Sequence, residues 1–385
     1  MHIGILTGGG DVPGLNPAIK TVVLEAERRG WRVTGFRRGW AGPLNYDPSR
    51  PEASQKHLMS LSPNVVRSID RTGGTILHSS RTRPSNVRLS DLPHFLSEAK
   101  LAEVGSDEVD CTDHVLSVLK ALNIDVLIAI GGDDTLSYAA RLHHDGMPTV
   151  CLPKTIDNDV FGTDYCIGFS TCITRSVDLI HGLRTPAGSH ERIMVVELFG
   201  RDSGHTALMA GYLADVDRTL IAEVEIDLDK VTKLVVEDRQ RNVSNYAIVV
   251  VSEGARVRGG QVIEHGEPDA YGHRKRGGIG PIVADYIKRT TKVDVMNQSL
   301  GYLVRSGPPD AVDQMVARNF ATMAVDCIET GQTGLMMAVQ DGIYTTVPAD
   351  MSTTGERRVD VDRMYDSDAY RPRISGLQGM PMFLK

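Results

Sequence analysis

Apolar residues gather in short unbroken runs along the chain, and several of these runs end in glycine or acid before a stretch with helical spacing begins. The first, Ile3-Gly4-Ile5-Leu6-Thr7, meets Gly8-Gly9-Gly10-Asp11, after which residues 16–29 carry apolar side chains at the helical period and stop at Gly30. The run Ile124-Asp125-Val126-Leu127-Ile128-Ala129-Ile130 predicts a buried parallel strand, and another follows at 149–152. Strands are also predicted at 32–36 and 75–77, and helices at 111–122 and 135–144. Up to about residue 165 the chain thus alternates strand and helix, the pattern of a parallel sheet covered on both faces.

A second alternating series follows, with helices at 171–183, 204–213 and 228–242 and strands at 193–198 and 247–251. Residues 256–278, rich in glycine, charge and histidine, predict a surface loop, and 279–289 a helix. A helix at 309–329 and a strand at 334–339 either rejoin the first sheet or extend the second. From Ala349 the chain is polar and rich in Arg and Asp, and it closes on Pro381-Met382-Phe383-Leu384, a segment able to dock.

With 385 residues, 41% of them hydrophobic and 24% charged, the chain is long enough for a large core and for two or three domains. Its net charge of -7 argues against general nucleic-acid binding, so a phosphate site has to be a local cationic pocket within an unfavourable global field. The cysteines are odd in number and have no CxxC spacing, which fits reduced thiols better than a disulfide framework or a zinc site. Neither a signal-peptide pattern nor an apolar run near the roughly 18 residues of a membrane span occurs, and a cytoplasmic enzyme is expected.

The chemistry concentrates where the two central strands end. Gly131-Gly132-Asp133-Asp134-Thr135 and Pro153-Lys154-Thr155-Ile156-Asp157-Asn158-Asp159 both fall at strand carboxyl ends, where open α/β sheets bind ligands. Acids there can hold a metal or take a proton, glycines admit a phosphate to the backbone, and a lysine can neutralise a transferring phosphoryl group. One carboxylate suffices to cap the helix predicted from 135; a second beside it is more useful if Asp133 orients a hydrated Mg²⁺. Asp157 suits a general base and Asp159 a second electrostatic group, although an Asx turn uses the same residue types.

Other segments add weaker signals. The opening glycines do not complete a dinucleotide fingerprint, because Pro13 stands where its third glycine belongs, and no GxxxxGK[ST] occurs. What remains is a glycine turn at a helix start, able to bind phosphate or simply to turn. Arg81, the pair Arg192 and Arg201, and Tyr302 with Arg305 are candidates for an anion pocket, since the planar guanidinium fork suits phosphate when several converge. Glu253, just past the 247–251 strand, is placed to accept hydrogen bonds from sugar hydroxyls.

Taken in order, the Gly-Gly-Asp turn at Gly9, Gly73-Gly74-Thr75 with Arg81, Gly131 to Thr135, Thr155 to Asp159, Phe199-Gly200-Arg201 and Ser252-Glu253-Gly254 resemble the phosphofructokinases. The resemblance runs from residue 3 to about 326. It implies an α/β protein of two lobes, each with a mainly parallel sheet flanked by helices. Residues 1–168 with about 306–360 make the larger lobe, holding the phosphoryl-donor and Mg²⁺ site; residues 169–305 make the smaller, sugar-phosphate lobe; 361–385 form a tail. It also implies a homodimer or homotetramer with shared active sites, and Mg²⁺-dependent phosphoryl transfer to the 1-hydroxyl of fructose 6-phosphate.

By matching positions, the resemblance assigns Gly10 and Arg81 to the donor, Asp133 to the magnesium and Asp157 to the proton of the attacking hydroxyl. Thr155, Ile156, Asp157, Phe199, Gly200, Arg201 and Glu253 would line the sugar, with Arg201 also stabilising the transition state. Arg192 would reach the 6-phosphate of a neighbouring subunit, and Tyr302 with Arg305 would complete that pocket.

ATP-using relatives carry glycine at the positions of Asp134 and Lys154, so the pair found here resembles the pyrophosphate-dependent branch. Asp134 places negative charge where an ATP α-phosphate would lie, and Lys154 supplies positive charge to pyrophosphate and its leaving phosphate. The two phosphoryl bonds are similar in energy, so a reversible reaction is expected. Phe199 departs from the family's usual methionine, Met296 stands where many relatives have an arginine, and Leu24 replaces a cation found in allosteric bacterial enzymes. The first two leave open another acceptor such as sedoheptulose 7-phosphate; the third argues against nucleotide-effector control. ATP as donor and a catalytically silent sugar-phosphate-binding subunit are the remaining alternatives.

Overall fold

The computed structural model describes residues 1–96 and 108–383, so Leu384 of the apolar end segment lies outside the described residues. Strand β1 (His2–Thr7) enters the glycine turn, and helix α1 (Leu15–Arg28) returns the chain to β2 (Arg32–Phe36). β3 (Leu58–Leu61) then pairs antiparallel with β2. Helix α2 (Thr112–Ala121), β4 (Val126–Gly131), α3 (Asp133–His144) and β5 (Thr149–Pro153) follow. Every residue of β4 and β5 is buried, because helices cover both faces of the sheet, and their sequence accordingly lacks a polar alternation.

Helix α4 (Phe169–Ser189) leads into a second unit. It continues through β6 (Ile193–Leu198), α5 (His205–Leu213), β7 (Arg218–Leu220), α6 (Leu228–Arg241), β8 (Ala247–Ser252), α7 (Ile279–Thr291) and β9 (Val295–Ser299). These four strands make one all-parallel sheet in the order β9-β6-β8-β7. Helix α8 (Ala311–Glu329) carries the chain back, and β10 (Leu335–Gln340) with β11 (Ile343–Pro348) joins the first sheet beside β5. That sheet therefore reads β11-β10-β5-β4-β1-β2-β3. The fold is α/β with two mainly parallel sheets, each flanked by helices.

One predicted strand is absent. Residues 75–77 form a turn, in which the Leu77 amide donates to Thr75 Oγ1 (3.2 Å) while that hydroxyl also meets Thr7 Oγ1 at 2.9 Å. A side chain that satisfies nearby backbone offers the chain an alternative to a sheet ladder. Conversely, β3, β7, β9 and β11 were not foreseen, and all four are sheet edges. Edge strands are short or half-exposed and lack the continuous apolar run of a central strand.

The tail packs on the second sheet. The Thr219 amide of β7 donates to the carbonyl of Tyr370 (2.8 Å), and Asp238 accepts from both Arg218 (2.6 Å) and Arg371 (3.1 Å). Phe383 lies 4.5 Å from Tyr165, ring centre to ring centre. All five cysteines are free thiols, and no helix among the described residues is long and apolar enough to cross a membrane.

Candidate active site

Two adjoining cavities open where the carboxyl ends of the two sheets face each other. The smaller, about 210 Å³, is lined by Asp133, Asp134, Lys154, Thr155, Ile156 and Asp159 among others; the larger, about 860 Å³, by Phe199, Glu253, Tyr302 and residues of the 256–278 loop. Gly10, Arg81, Asp157, Arg201 and Arg305 line both, so these residues form their common boundary.

The turn from β4 into α3 is so tight that a side chain at Gly131 would meet Thr135 Cβ at 2.3 Å. The helix starts at Asp133, two residues earlier than predicted, because the Gly132 carbonyl takes the amides of Thr135 and Leu136. Neither aspartate caps the helix; both lie in its first turn, where the helix dipole favours negative charge. Asp133 Oδ1 is buried without a hydrogen-bond partner. Burial, then repulsion from Asp159 and Asp134, pushes its carboxyl up to about 8.

The Asp157-Asn158-Asp159 turn divides its work by residue. Asn158 is left-handed (φ 53°), and its side chain donates to the Asp164 carbonyl (3.1 Å) and accepts from the Cys166 amide (2.8 Å). Arg357 donates to the Asn158 carbonyl from beneath. The turn is thus secured by Asn158, and Asp157 and Asp159 are left to line the pocket. Asp157 is buried with Oδ1 unpartnered, and its backbone is pinned by a 3.1 Å bond from its amide to Thr155 Oγ1. Burial raises its carboxyl while Arg305, Arg201 and Lys154 pull it back; burial and Asp157 push Asp159 up to about 7.

Lys154, only 3% exposed, donates to the Gly10 carbonyl at 2.7 Å. Burial, with the positive charge of Arg305 nearby, lowers its ammonium to about 8. At Gly10 a Cβ would lie 2.9 Å from Arg305 Nη1, so a side chain there would displace the guanidinium. Arg305 is held by two rings, its guanidinium 4.7 Å from the centre of Phe199 and 5.6 Å from Tyr302. Phe199 therefore has a physical task that a methionine could not perform in the same way.

Phe199-Gly200-Arg201 and Ser252-Glu253-Gly254 are one structure. Ser252 Oγ and the Gly254 amide both donate to the Gly200 carbonyl (2.9 and 3.1 Å), and a Cβ at Gly254 would stand 1.6 Å from the Arg201 carbonyl. Glu253 is pushed up to about 8 by burial and by Asp157 and Glu197.

Arg192 alone among the candidates lies elsewhere in this chain. It precedes β6 at the opposite end of the sheet and pairs with Asp294 at 2.6 Å. Met296, whose position attracted notice in the sequence, packs against the apolar core.

Several contributors went unpredicted. Glu197, a carboxylate inside the apolar run of β6, accepts from the amides of Gly278 (2.9 Å) and Gly280 (2.7 Å) and lines the larger cavity. That misplaced charge was the available signal. The 256–278 segment is more than a surface loop: Tyr271 and His273 line the smaller cavity, and Arg274, Lys275 and Arg276 the larger. Its role is a tertiary fact with no local signature.

Among the described residues no cluster of three or more His, Cys, Asp and Glu forms a metal cage. Mg²⁺ rarely uses such a cage; it binds through one or two carboxylates plus substrate phosphates. The unpartnered Asp133 Oδ1 beside Asp134 and Asp159 fits that mode, since a cation would relieve the repulsion among them.

The phosphofructokinase family model matches residues 2–328. A pyrophosphate--fructose 6-phosphate 1-phosphotransferase of Amycolatopsis mediterranei is 39% identical over 96% of this chain and 99% of its own length. The ATP-dependent 6-phosphofructokinase 3 of Streptomyces coelicolor is 35% identical over 88% of the chain and 91% of its own. A crystal structure of a pyrophosphate-dependent phosphofructokinase from Marinobacter aquaeolei superposes over 100% of this chain and 92% of its own with a TM-score of 0.77, at 18% identity.

Proposed function

The chain belongs to the phosphofructokinase family, and from that premise we propose how its two cavities divide one reaction. It is a phosphotransferase that moves phosphoryl from pyrophosphate to the 1-hydroxyl of fructose 6-phosphate, giving fructose 1,6-bisphosphate and phosphate. The smaller cavity takes pyrophosphate and the larger takes the sugar phosphate. The carrying observation is Asp134 and Lys154 together on the walls of a pocket of about 210 Å³ that meets the larger cavity across Asp157.

Asp157 accepts the proton of the 1-hydroxyl as that oxygen attacks, a task suited to a buried carboxylate with a free lone pair and a pinned backbone. Arg201 and Arg305 stand on the boundary and hold positive charge where the transferring group crosses. Lys154, anchored to the Gly10 carbonyl, steadies the leaving phosphate, and Arg81 and the Gly10 turn hold the donor. Mg²⁺, when bound at Asp133, neutralises phosphate oxygens. Glu253 and Phe199 position the sugar ring, while Tyr302 and Arg305 receive its phosphate. Arg192 completes that site in a neighbouring subunit of a homo-oligomer. Residues 1–168 with about 306–360 mainly serve the donor and 169–305 mainly the acceptor, the latter lending Arg201, Tyr271, His273 and Arg305 to the donor side.

A donor swap tests the reading. Purified protein with fructose 6-phosphate and Mg²⁺ is expected to form the bisphosphate with pyrophosphate and little with ATP, and to run backwards with phosphate. The opposite donor preference would overturn it.

A further inference from the structure

A third cavity of about 800 Å³ lies beyond the donor pocket, lined by Arg38, Arg83, Arg88, Asp269 and Tyr271. Tyr271 and Arg81 line both it and the donor pocket, so they are the partition between them. Three bonds fasten the 269–273 stretch across this gap. Asp269 pairs with Arg81 at 3.0 Å, the Tyr271 hydroxyl donates to the Thr82 carbonyl at 2.9 Å, and His273 Nε2 lies 3.1 Å from Asp134 Oδ2. The Arg83 guanidinium sits 5.7 Å from the centre of the Tyr271 ring. The donor pocket therefore has two sides on which a bound diphosphate could extend: toward the acceptor cavity, which the sugar occupies, and toward this wall.

We propose that Tyr271, held in place by Asp269 and His273, is a steric specificity residue that closes the donor pocket against any diphosphate bearing a nucleoside. The inference rests on the donor assignment above but uses a different force. Asp134 repels an added phosphate by charge; Tyr271 fills the route its nucleoside would take. Arg274, Lys275 and Arg276, on the same segment, line the acceptor cavity, so one strand of chain walls both substrates.

The test uses ADP, which binds without turnover, and calorimetry on the full-length protein. Tyr271→Ala in an Asp134→Gly background is expected to bind ADP roughly tenfold more tightly than Asp134→Gly alone, because removal of the ring joins the two cavities. Tyr271→Phe in the same background keeps the ring and is expected to show no such gain. Equal ADP affinity in Asp134→Gly with and without Tyr271→Ala, in proteins that still bind pyrophosphate, overturns the proposal. Should the alanine variant fail to fold, Asp269→Asn with Arg83→Ala in the same background loosens the same wall through its Arg81 and Tyr271 contacts, and the absence of any gain there overturns it equally. Failure of the donor assignment looks different: the unsubstituted protein would itself turn over ATP in preference to pyrophosphate.

Discussion

The proposed donor pocket encloses about 210 Å³ and sets Asp133, Asp134, Asp157, Asp159 and Asp202 against Lys154 and three arginines; the proposed acceptor cavity, at about 860 Å³, has only three carboxylates beyond Asp11 among a larger set of cations and rings. Burial first, and the neighbouring charges second, shift these groups: Asp133 is raised to about 8 and Asp159 to about 7, while Lys154 is lowered to about 8. Charges packed this closely discriminate by charge, and a donor is accepted only if its own charge and cation relieve the repulsion. The acceptor cavity is roomier and is shaped by stacked side chains, Arg305 between Phe199 and Tyr302, so it selects by fit and hydrogen bonding. On the proposed assignment the two substrates are told apart because one site is tuned by electrostatics and the other by shape.

The contrast breaks most completely at the shared boundary. Asp157→Ser is expected to lower kcat by about 10²–10⁴-fold in both directions while leaving both KM values within a small factor. Steady-state kinetics checks this; a loss confined to the KM of one substrate would assign Asp157 to that cavity alone.

On the acceptor side, Arg305→Lys keeps the charge but gives up the planar fork and its two ring contacts. The KM for fructose 6-phosphate is expected to rise roughly tenfold, with a smaller change for pyrophosphate, since a lysine can still neutralise the boundary. Equal effects on both substrates would erase the distinction between the cavities.

The mildest test is pH. Lys154 is charged below about 8 and neutral above it, so the positive charge offered to pyrophosphate fades as pH rises through that value. kcat/KM for pyrophosphate, which reports the free enzyme, is expected to fall several-fold between pH 7 and pH 9. A Lys154→Arg variant should hold its profile further into alkali, and a flat profile in the unsubstituted protein would remove Lys154 from donor binding.

Sequence legibility follows the same division. Residues of the smaller cavity sit in compact motifs at the ends of buried strands, so Asp133, Asp134, Lys154 and Asp157, which the fold brings to one pocket, could be singled out as candidates from local pattern. The acceptor cavity takes side chains from distant segments, and Arg274, Lys275 and Arg276 come from a stretch whose composition says only loop. Arg357, which braces the Asn158 carbonyl from 199 residues away, could not have been found by spacing. Central strands were legible because burial on both faces writes a continuous apolar run. The edges β3, β7, β9 and β11 were not, because their pairing comes from a neighbour and leaves little trace in their own residues.

The tail has a consequence for the order in which the molecule can be finished as it is made. β7 emerges early, yet the Ala369 carbonyl that receives its Arg218 side chain lies 151 residues later. At roughly 5–20 residues per second, that interval is on the order of ten seconds of synthesis during which the edge stands open. The larger sheet waits in the same way, since β10 joins β5 only after the whole smaller lobe has been made. Each lobe is thus an unfinished intermediate until its late strand or tail appears: chain ending before β10 leaves both sheets with a bare flank, and chain ending after β11 but before Ala369 leaves only β7 exposed to other chains.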